Sequence, residues 1–482
     1  MSEPAGSAAW QTGAAPNEWQ HATQLGMLTI TAVTEQIVRV ALTPVGAPAH
    51  QTWAIAPTVA ARPAPSLTAS NQGDQLVLQT SALTLVAQHD PLRLAITRAD
   101  GSPVLADAPE RAWSVTSEGH VQWDLALAEG DRVFGGGQRT GPLDKRGRRL
   151  TFWATDPLPN HDDATDALYQ PVTFLIGWHA GLVHGIFYDT NWQATADIGK
   201  SDPARLSFAT TGPDLVAYIC AGPTLADVLA QYTSITGRIP PQPRWALGYH
   251  QSRWSYMTAA EVRDIATTMR AQQIPCDALY LDIDYMQGFR DFTWDTERFP
   301  DLAGLVRDLR DQGLRMVTII DPGIKIDADY AVYRDGHERG YLVRTADGND
   351  FQGWVWPGHS VWADFARAEV RAWWGEQHRA LLDLGVAGIW NDMNEPTQSA
   401  MVAPTDIHIP HGATLPPDAL HGAVAAPITH AAFHNAYGSE MCRATRLAME
   451  EARPDERAFV LTRATGAGGQ RYASVWNGDN TS

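Results

Sequence analysis

The stretch Gly388-Ile389-Trp390-Asn391-Asp392-Met393-Asn394-Glu395-Pro396 limits this chain's architecture more than any other. Leu384-Gly385-Val386-Ala387 opens a short apolar run behind a helical segment, which reads as a parallel strand buried on both faces. The run ends in two carboxylates, two amides and an aromatic. Asp392 and Glu395 do not fit a strand covered on both faces, so the polar cluster belongs where that strand leaves the core. In an α/β barrel that place is the carboxyl-terminal rim, where the chemistry is done.

The 482 residues suffice for roughly two to four domains with large cores. A formal charge of −18 excludes nucleic acid and anionic membrane surfaces as the main partner. The three cysteines, Cys220, Cys276 and Cys442, lie too far apart for a zinc spacing or a disulfide framework, which points to a reducing compartment. The amino terminus shows neither a basic n-region nor a long apolar h-region, and no apolar run reaches the length of a membrane span. The expectation is a soluble, cytoplasmic protein, with homo-oligomerisation left open. Eighteen tryptophans are many. Most read as core aromatics, and a few are available as flat sugar-stacking surfaces.

Residues 1–25, rich in Ala, Gly, Gln and Pro, read as a poorly ordered lead-in. From 26 to about 222 short runs alternate with period two and turn residues separate them: 27–31, 36–42, 75–79, 83–87, 92–96 and 120–125. That pattern predicts a β-sandwich. Phe134-Gly135-Gly136-Gly137 matches no phosphate-binding pattern and reads as a turn. The polar loop 152–163 has the composition of a functional loop or of a solvated one. Leu225, Val228, Leu229 and Tyr232 predict an amphipathic helix, and the stretch 223–243, ending in Pro240, Pro241 and Pro243, reads as a linker.

From 244 the grammar becomes alternating strand and helix. Six strands are predicted, at 245–250, 276–284 and 314–321, in the opening stretch 388–396, and at 458–463 and 473–477, with insertions at 325–362 and 397–429. A capping box at Thr258 and Glu261 opens the first helix, and helices are predicted at 366–384 and 432–451. Such units mean a (β/α)8 barrel. Carboxylates at strand ends are Asp282, Asp284, Asp321, Asp392 with Glu395, and Asp479. Tryptophans at Trp254, Trp354, Trp356, Trp390 and Trp476 accompany them, as a sugar site requires and a magnesium site does not. His430 and His434 stand one turn apart, but Ala431 occupies the place where a zinc protease has glutamate. With His408, His411 and His421 they read as ordinary helix and loop histidines, so no metal and no cofactor is assigned.

Trp390-Asn391-Asp392-Met393-Asn394-Glu395 resembles the signature of glycoside hydrolase family 31, the α-glucosidase and α-xylosidase family. Leu281–Met286, Asp321–Ile324, Trp356–Gly358, Arg463–Thr465 and Trp476–Asp479 are similar to further family blocks, in the family's order, over about residues 130–482. The resemblance implies a galactose mutarotase-like β-sandwich before a TIM barrel. It also implies a retaining α-glucosidase that releases terminal glucose through a covalent glycosyl-enzyme intermediate, with Asp392 as nucleophile and Asp479 as general acid/base. Retention needs one ionised and one protonated carboxyl about 5–5.5 Å apart. Asp156, Asp282 and Arg463 would hydrogen-bond the sugar, with Arg463 also helping to keep rim carboxylates ionised. Trp356, Trp390, Met393 and Trp476 would wall it, Ile283 and Ile324 would pack beside it, and Trp254 would edge the pocket. Glu395 would order Asp392.

The family's histidine on the seventh or eighth barrel unit falls beyond Ser482, and only six of eight strands are legible. The expectation is a C-terminally truncated chain whose open barrel edges leave it weak or inactive. A non-catalytic carbohydrate-binding remnant stays open beside the enzyme reading. So do α-xylosidase, transglucosylase and sulfoquinovosidase activities.

Overall fold

The computed structural model describes residues 10–72, 74–157 and 161–479. The chain divides into two compact units, Met1–Trp153 with Asp162–Arg238, and Ala154–His161 with Ile239–Ser482.

The first unit is all β apart from one terminal helix and a short 3-10 turn. Its alternating strands build an eight-stranded and two five-stranded antiparallel sheets. Period-two patterning produces the core: Leu28, Ile30, Val40 and Leu42 point inward from paired strands and are fully buried. Trp113 and Trp123 stack at 4.7 Å and both donate to the buried Asp107, at 3.2 and 2.7 Å. Three features differ from the sequence expectation. The lead-in is not structureless over its described part, because Gln11–Thr12 and Glu18–Thr23 extend the largest sheet behind the buried Trp10; residues 1–9 lie outside the described residues. The helix Leu225–Thr236 belongs to this unit and is no linker, since it packs on the strands Leu182–Tyr188 and Leu215–Gly222. Its buried stripe is Val228, Gln231, Tyr232 and Ile235, with Tyr232 stacked 4.0 Å from Phe174, while Leu225 and Leu229 face solvent. The glycine triplet forms a turn: Gly135, Gly136 and Gly137 have φ of 93°, 87° and 79°.

The second unit carries the parallel sheet. Its strands are β1 (His250–Gln251), β2 (Ala278–Leu281), β3 (Arg315–Ile320), β4 (Gly388–Asn391), β5 (Val460–Thr462) and β6 (Ser474–Val475), paired in chain order. β2 and β4 are buried throughout and β3 from Met316 onward, so both faces are covered. The first strand starts later than the apolar run suggests, because Arg244–Leu247 is a 3-10 turn after Pro243. Thr258 caps the helix Ala259–Ala271 by accepting from the Glu261 N–H, but Glu261 accepts from Met257 N–H and not from Thr258. The helix predicted at 366–384 breaks into Ala368–Gln377 and Arg379–Leu382. The first insertion is structured, with a helix at Ala331–Glu338 and a small sheet of Gly323–Lys325, Gly353–Val355 and Gly358–Trp362. Among the described residues no helix is long and apolar enough to cross a membrane.

The long helix His430–Ala452 approaches β4 and β5 at Gly438, where an added Cβ would lie 2.4 Å from Ala464 O and 3.0 Å from Asn394 O. Helix propensity alone favours Gly438→Ala by about 1 kcal/mol. The backbone contacts dominate, and the substitution is expected to cost about 1–3 kcal/mol through overpacking. Thermal unfolding should show a lower Tm for the variant; an equal or higher Tm would mean that the helix has room to move.

Candidate active site

Parallel register lines up the polar residues beyond the strands. Ile320 pairs with Asn391 and Asn391 with Thr462, so Asp321, Asp392 and Arg463 fall in one row one residue past the strand ends. Asp392 N–H donates to Ile320 O and Arg463 N–H to Asn391 O, which extends the ladder into the row. Asp479 follows β6, on the other side of β5. A single arginine therefore stands between the two candidate catalytic carboxylates.

The Arg463 side chain is fully buried and pairs with four carboxylates. Its Nε lies 2.9 Å from Glu395 Oε1 and 3.0 Å from Asp392 Oδ1. Nη1 donates to Asp479 Oδ2 at 2.8 Å, and Nη2 lies 2.7 Å from Glu395 Oε2 and 3.6 Å from Asp156 Oδ2. Nη2 also meets Met393 Sδ at 3.1 Å. Only a planar fork can serve so many partners at once. All three nitrogens reach carboxylates, so Arg463 organises them at the foot of the strand-end row. Glu395 is wholly enclosed between Arg463 and the Thr397 hydroxyl, at 2.7 Å. Asn394 ties the following backbone to β5 by donating to Thr462 Oγ1 and accepting from Ala464 N–H. Met393, between them, has φ of 53°, a left-handed conformation that costs a residue with a side chain about 1–3 kcal/mol.

A cavity of about 660 Å³ opens above this row, well within the size of small-molecule sites. Asp392, Asp479, Asp156, Asp282, Ile283, Trp254, Trp356, Trp390, Met393 and Arg463 all line it. Trp254 is 61% exposed at the mouth, anchored by its Nε1–H to Asp284, with its ring 5.5 Å from Trp356. Two expected site residues, one to pack beside the sugar and one to wall it, are not in the lining. Ile324 is fully buried in the small insertion sheet, paired with Val361. Trp476 packs edge-on against Trp390 at 5.4 Å and is absent from the lining. Trp354 stacks on His359 instead. Sequence reading missed the rim of the second insertion, where Gln398, Met401, Ile409 and His411 line the cavity. The only signal was a long insertion directly after the signature. Gly412 lets it close on Asp156, since a Cβ there would sit 2.8 Å from Asp156 O. Among the described residues no three His, Cys, Asp or Glu side chains converge on a metal position.

Burial holds the Asp392 carboxyl well above its ordinary range; Asp479 and Glu395 push it further up, while Arg463 and the Met393 N–H oppose. Asp321, behind it, is raised by burial and by Asp392. Burial, with Asp284 and Asp479, raises Asp282 to about 6 against the pull of the Ile283 N–H. A carboxyl raised on folding contributes stability that is full below its unfolded pKa and is lost as pH rises through the folded value. Asp282 therefore destabilises the fold above about pH 6. Asp282→Asn should raise Tm at pH 7.5, with a gain on the order of 2–3 kcal/mol, and the gain should shrink toward pH 4. A gain of equal size at both pH values would refute this titration.

The galactose mutarotase-like N-terminal domain model of glycosyl hydrolase family 31 matches residues 27–197, and the family's TIM-barrel domain model matches residues 239–482. Alpha-glucosidase 2 of Bacillus thermoamyloliquefaciens is 40% identical over 95% of this chain and 56% of its own length. Neutral alpha-glucosidase AB of Homo sapiens is 38% identical over 55% of this chain and 27% of its own. The structure of a Flavobacterium johnsoniae GH31 dextranase complexed with isomaltotriose superposes with a TM-score of 0.88, at 25% identity, over 98% of this chain and 56% of that one. The chain thus spans about half, or less, of the length of these relatives. With both domain models matched in order along one polypeptide, the chain belongs to glycoside hydrolase family 31.

Proposed function

We propose that the cavity belongs to a retaining glycosidase that releases terminal glucose from α-glucosides and short α-glucans. The observation that carries the reading is the pair Asp392 and Asp479, held on one buried guanidinium at the foot of a tryptophan-walled cavity. A shared guanidinium keeps the pair close, as the roughly 5–5.5 Å separation of a retaining pair demands. The relatives named alpha-glucosidase and the neighbour complexed with isomaltotriose support α-linked glucose as the substrate class.

In the first step an Asp392 oxygen bonds the anomeric carbon as the glycosidic bond breaks, and the leaving oxygen takes the proton of Asp479. In the second, Asp479 removes a proton from water, which displaces Asp392 and regenerates both groups. Asp392 reacts only when ionised. Arg463 at 3.0 Å and the Met393 N–H at 2.7 Å favour that form and oppose burial, which raises the carboxyl. Asp479, with a side chain 61% exposed, can exchange its proton with solvent between steps. Asp156 and Asp282 accept from sugar hydroxyls, and Trp356 and Trp390 flank the apolar ring faces.

The test is trapping. Incubation with a fluorinated α-glucosyl fluoride, followed by peptide mass spectrometry, should place the adduct on Asp392. Asp392→Asn should lower turnover of a chromogenic α-glucoside by at least about 10³-fold, and Asp479→Asn by about 10²–10⁴-fold. Because burial raises Asp392, kcat/KM should fall as pH drops on the acid side. An adduct on another residue would overturn the assignment.

A further inference from the structure

A row of buried histidines runs behind the cavity. Asp364 Oδ1 lies 2.9 Å from His421 Nδ1, His421 Nε2 lies 2.9 Å from His430 Nδ1, and His430 Nε2 lies 2.9 Å from His434 Nδ1. His434 Nε2 ends the row 2.8 Å from Ala154 O. All four side chains are at most 1% exposed. His430 and His434 share one face of the helix His430–Ala452, and the short strand Leu420–His421 brings in the third ring.

Counting protons fixes the polarity of the row. A backbone carbonyl only accepts, so His434 donates through Nε2–H and must accept at Nδ1. The same holds for His430, which receives its hydrogen bond from His421 Nε2–H. Four hydrogen bonds require four protons, yet three neutral imidazoles supply three. The fourth sits between His421 and Asp364. Asp364 also accepts from Gly422 N–H at 2.7 Å and Ala366 N–H at 3.3 Å, which anchors the head of the row. Burial drives His430 well below the usual histidine range and His434 down to about 3, so both stay neutral and the fourth proton stays at the Asp364 end.

The far end of the row fixes a segment of the site. Ala154 is gripped on both polar groups by consecutive helix residues, its carbonyl by His434 and its N–H by Asn435 Oδ1 at 2.9 Å. Two residues on, Asp156 lines the cavity beside Arg463.

We propose that Asp364, His421, His430 and His434 form a positioning relay, carrying one proton beyond three neutral imidazoles, that locks the Ala154–Asp156 backbone and so sets Asp156 for its ligand. This rests on the reading that Asp156 binds sugar, and the two can fail separately.

Nuclear magnetic resonance of the protein with ¹⁵N-labelled imidazoles tests the proton count without any substrate. At neutral pH all three rings of the row, with the first identified by its loss in His421→Phe, should carry Nε2–H. An Nδ1–H tautomer without Nε2–H at any of the three would overturn the proposal. The positioning role is tested by kinetics on a chromogenic α-glucoside. His434→Leu should raise KM about tenfold with a smaller change in kcat, as loss of one backbone clamp predicts. His434→Gln, which keeps a donor near Nε2, should restore KM. In an Asp156→Ala background His434→Leu should raise KM no further, because the two act through one contact. Multiplying losses would show a merely structural row. If the unaltered protein neither binds nor turns over α-glucosides, the functional reading fails while the resonance experiment still decides the relay.

Discussion

The guanidinium of Arg463 is the constraint on which the site depends. One positive charge stands among four carboxylates with no exposure of its own. It cannot neutralise all of them, and burial, with the neighbouring carboxylates, pushes Asp392 and Asp321 above their ordinary range. A buried arginine in this position is costly unless every donor is matched. Glu395 supplies the match that catalysis does not consume: it occupies the fork face-on and is itself closed off by Thr397. Asp392 then lies against Nε as an ion pair, and Nη1 donates to Asp479. The glutamate three residues beyond the proposed nucleophile is thus the partner that makes the arginine tolerable there.

Why these groups meet follows from β-sheet register. Residues that follow paired parallel strands fall side by side, so one-residue-past-the-end positions on β3, β4 and β5 form a row although they are far apart in sequence. Loops complete the ring around that row less directly. Asp156 comes from a segment of irregular backbone, and it is held by hydrogen bonds to Ala154 and by close packing on Gly412. Strand ends set position through a ladder, whereas a loop must be pinned atom by atom.

That difference explains what could be read from the sequence. Period-two alternation in strands such as Gln75–Gln79 and Leu83–His89, and short apolar runs closed by Asp or Arg, are local patterns, and the strands appear where those patterns stand. Ten of the twelve expected site residues line the cavity, and most of them lie at or beside such strand ends. Ile324 and Trp476 lie outside the lining for one reason: adjacency to a rim says nothing of which way a side chain turns. Ile324 turns into an insertion sheet that no short-range signal announced. The helix Leu225–Thr236 shows the same limit, since its buried stripe includes Gln231, held by Ala221 O, in place of the more apolar Leu225 and Leu229.

The histidines mark the boundary of sequence reading more sharply. His430 and His434 are visible in the sequence as a pair one turn apart, with Ala431 where a zinc protease has glutamate. What spacing could not show is that His421 and Asp364, each brought by a separate element, extend the pair into a row that ends on a backbone carbonyl. A buried imidazole needs partners on both nitrogens. In a helix, only one of the two can come from the residue one turn away, so each helical histidine demands a second partner from elsewhere in the fold. Here those demands are met in series rather than separately, and the series leaves a fourth proton to lie between His421 and Asp364.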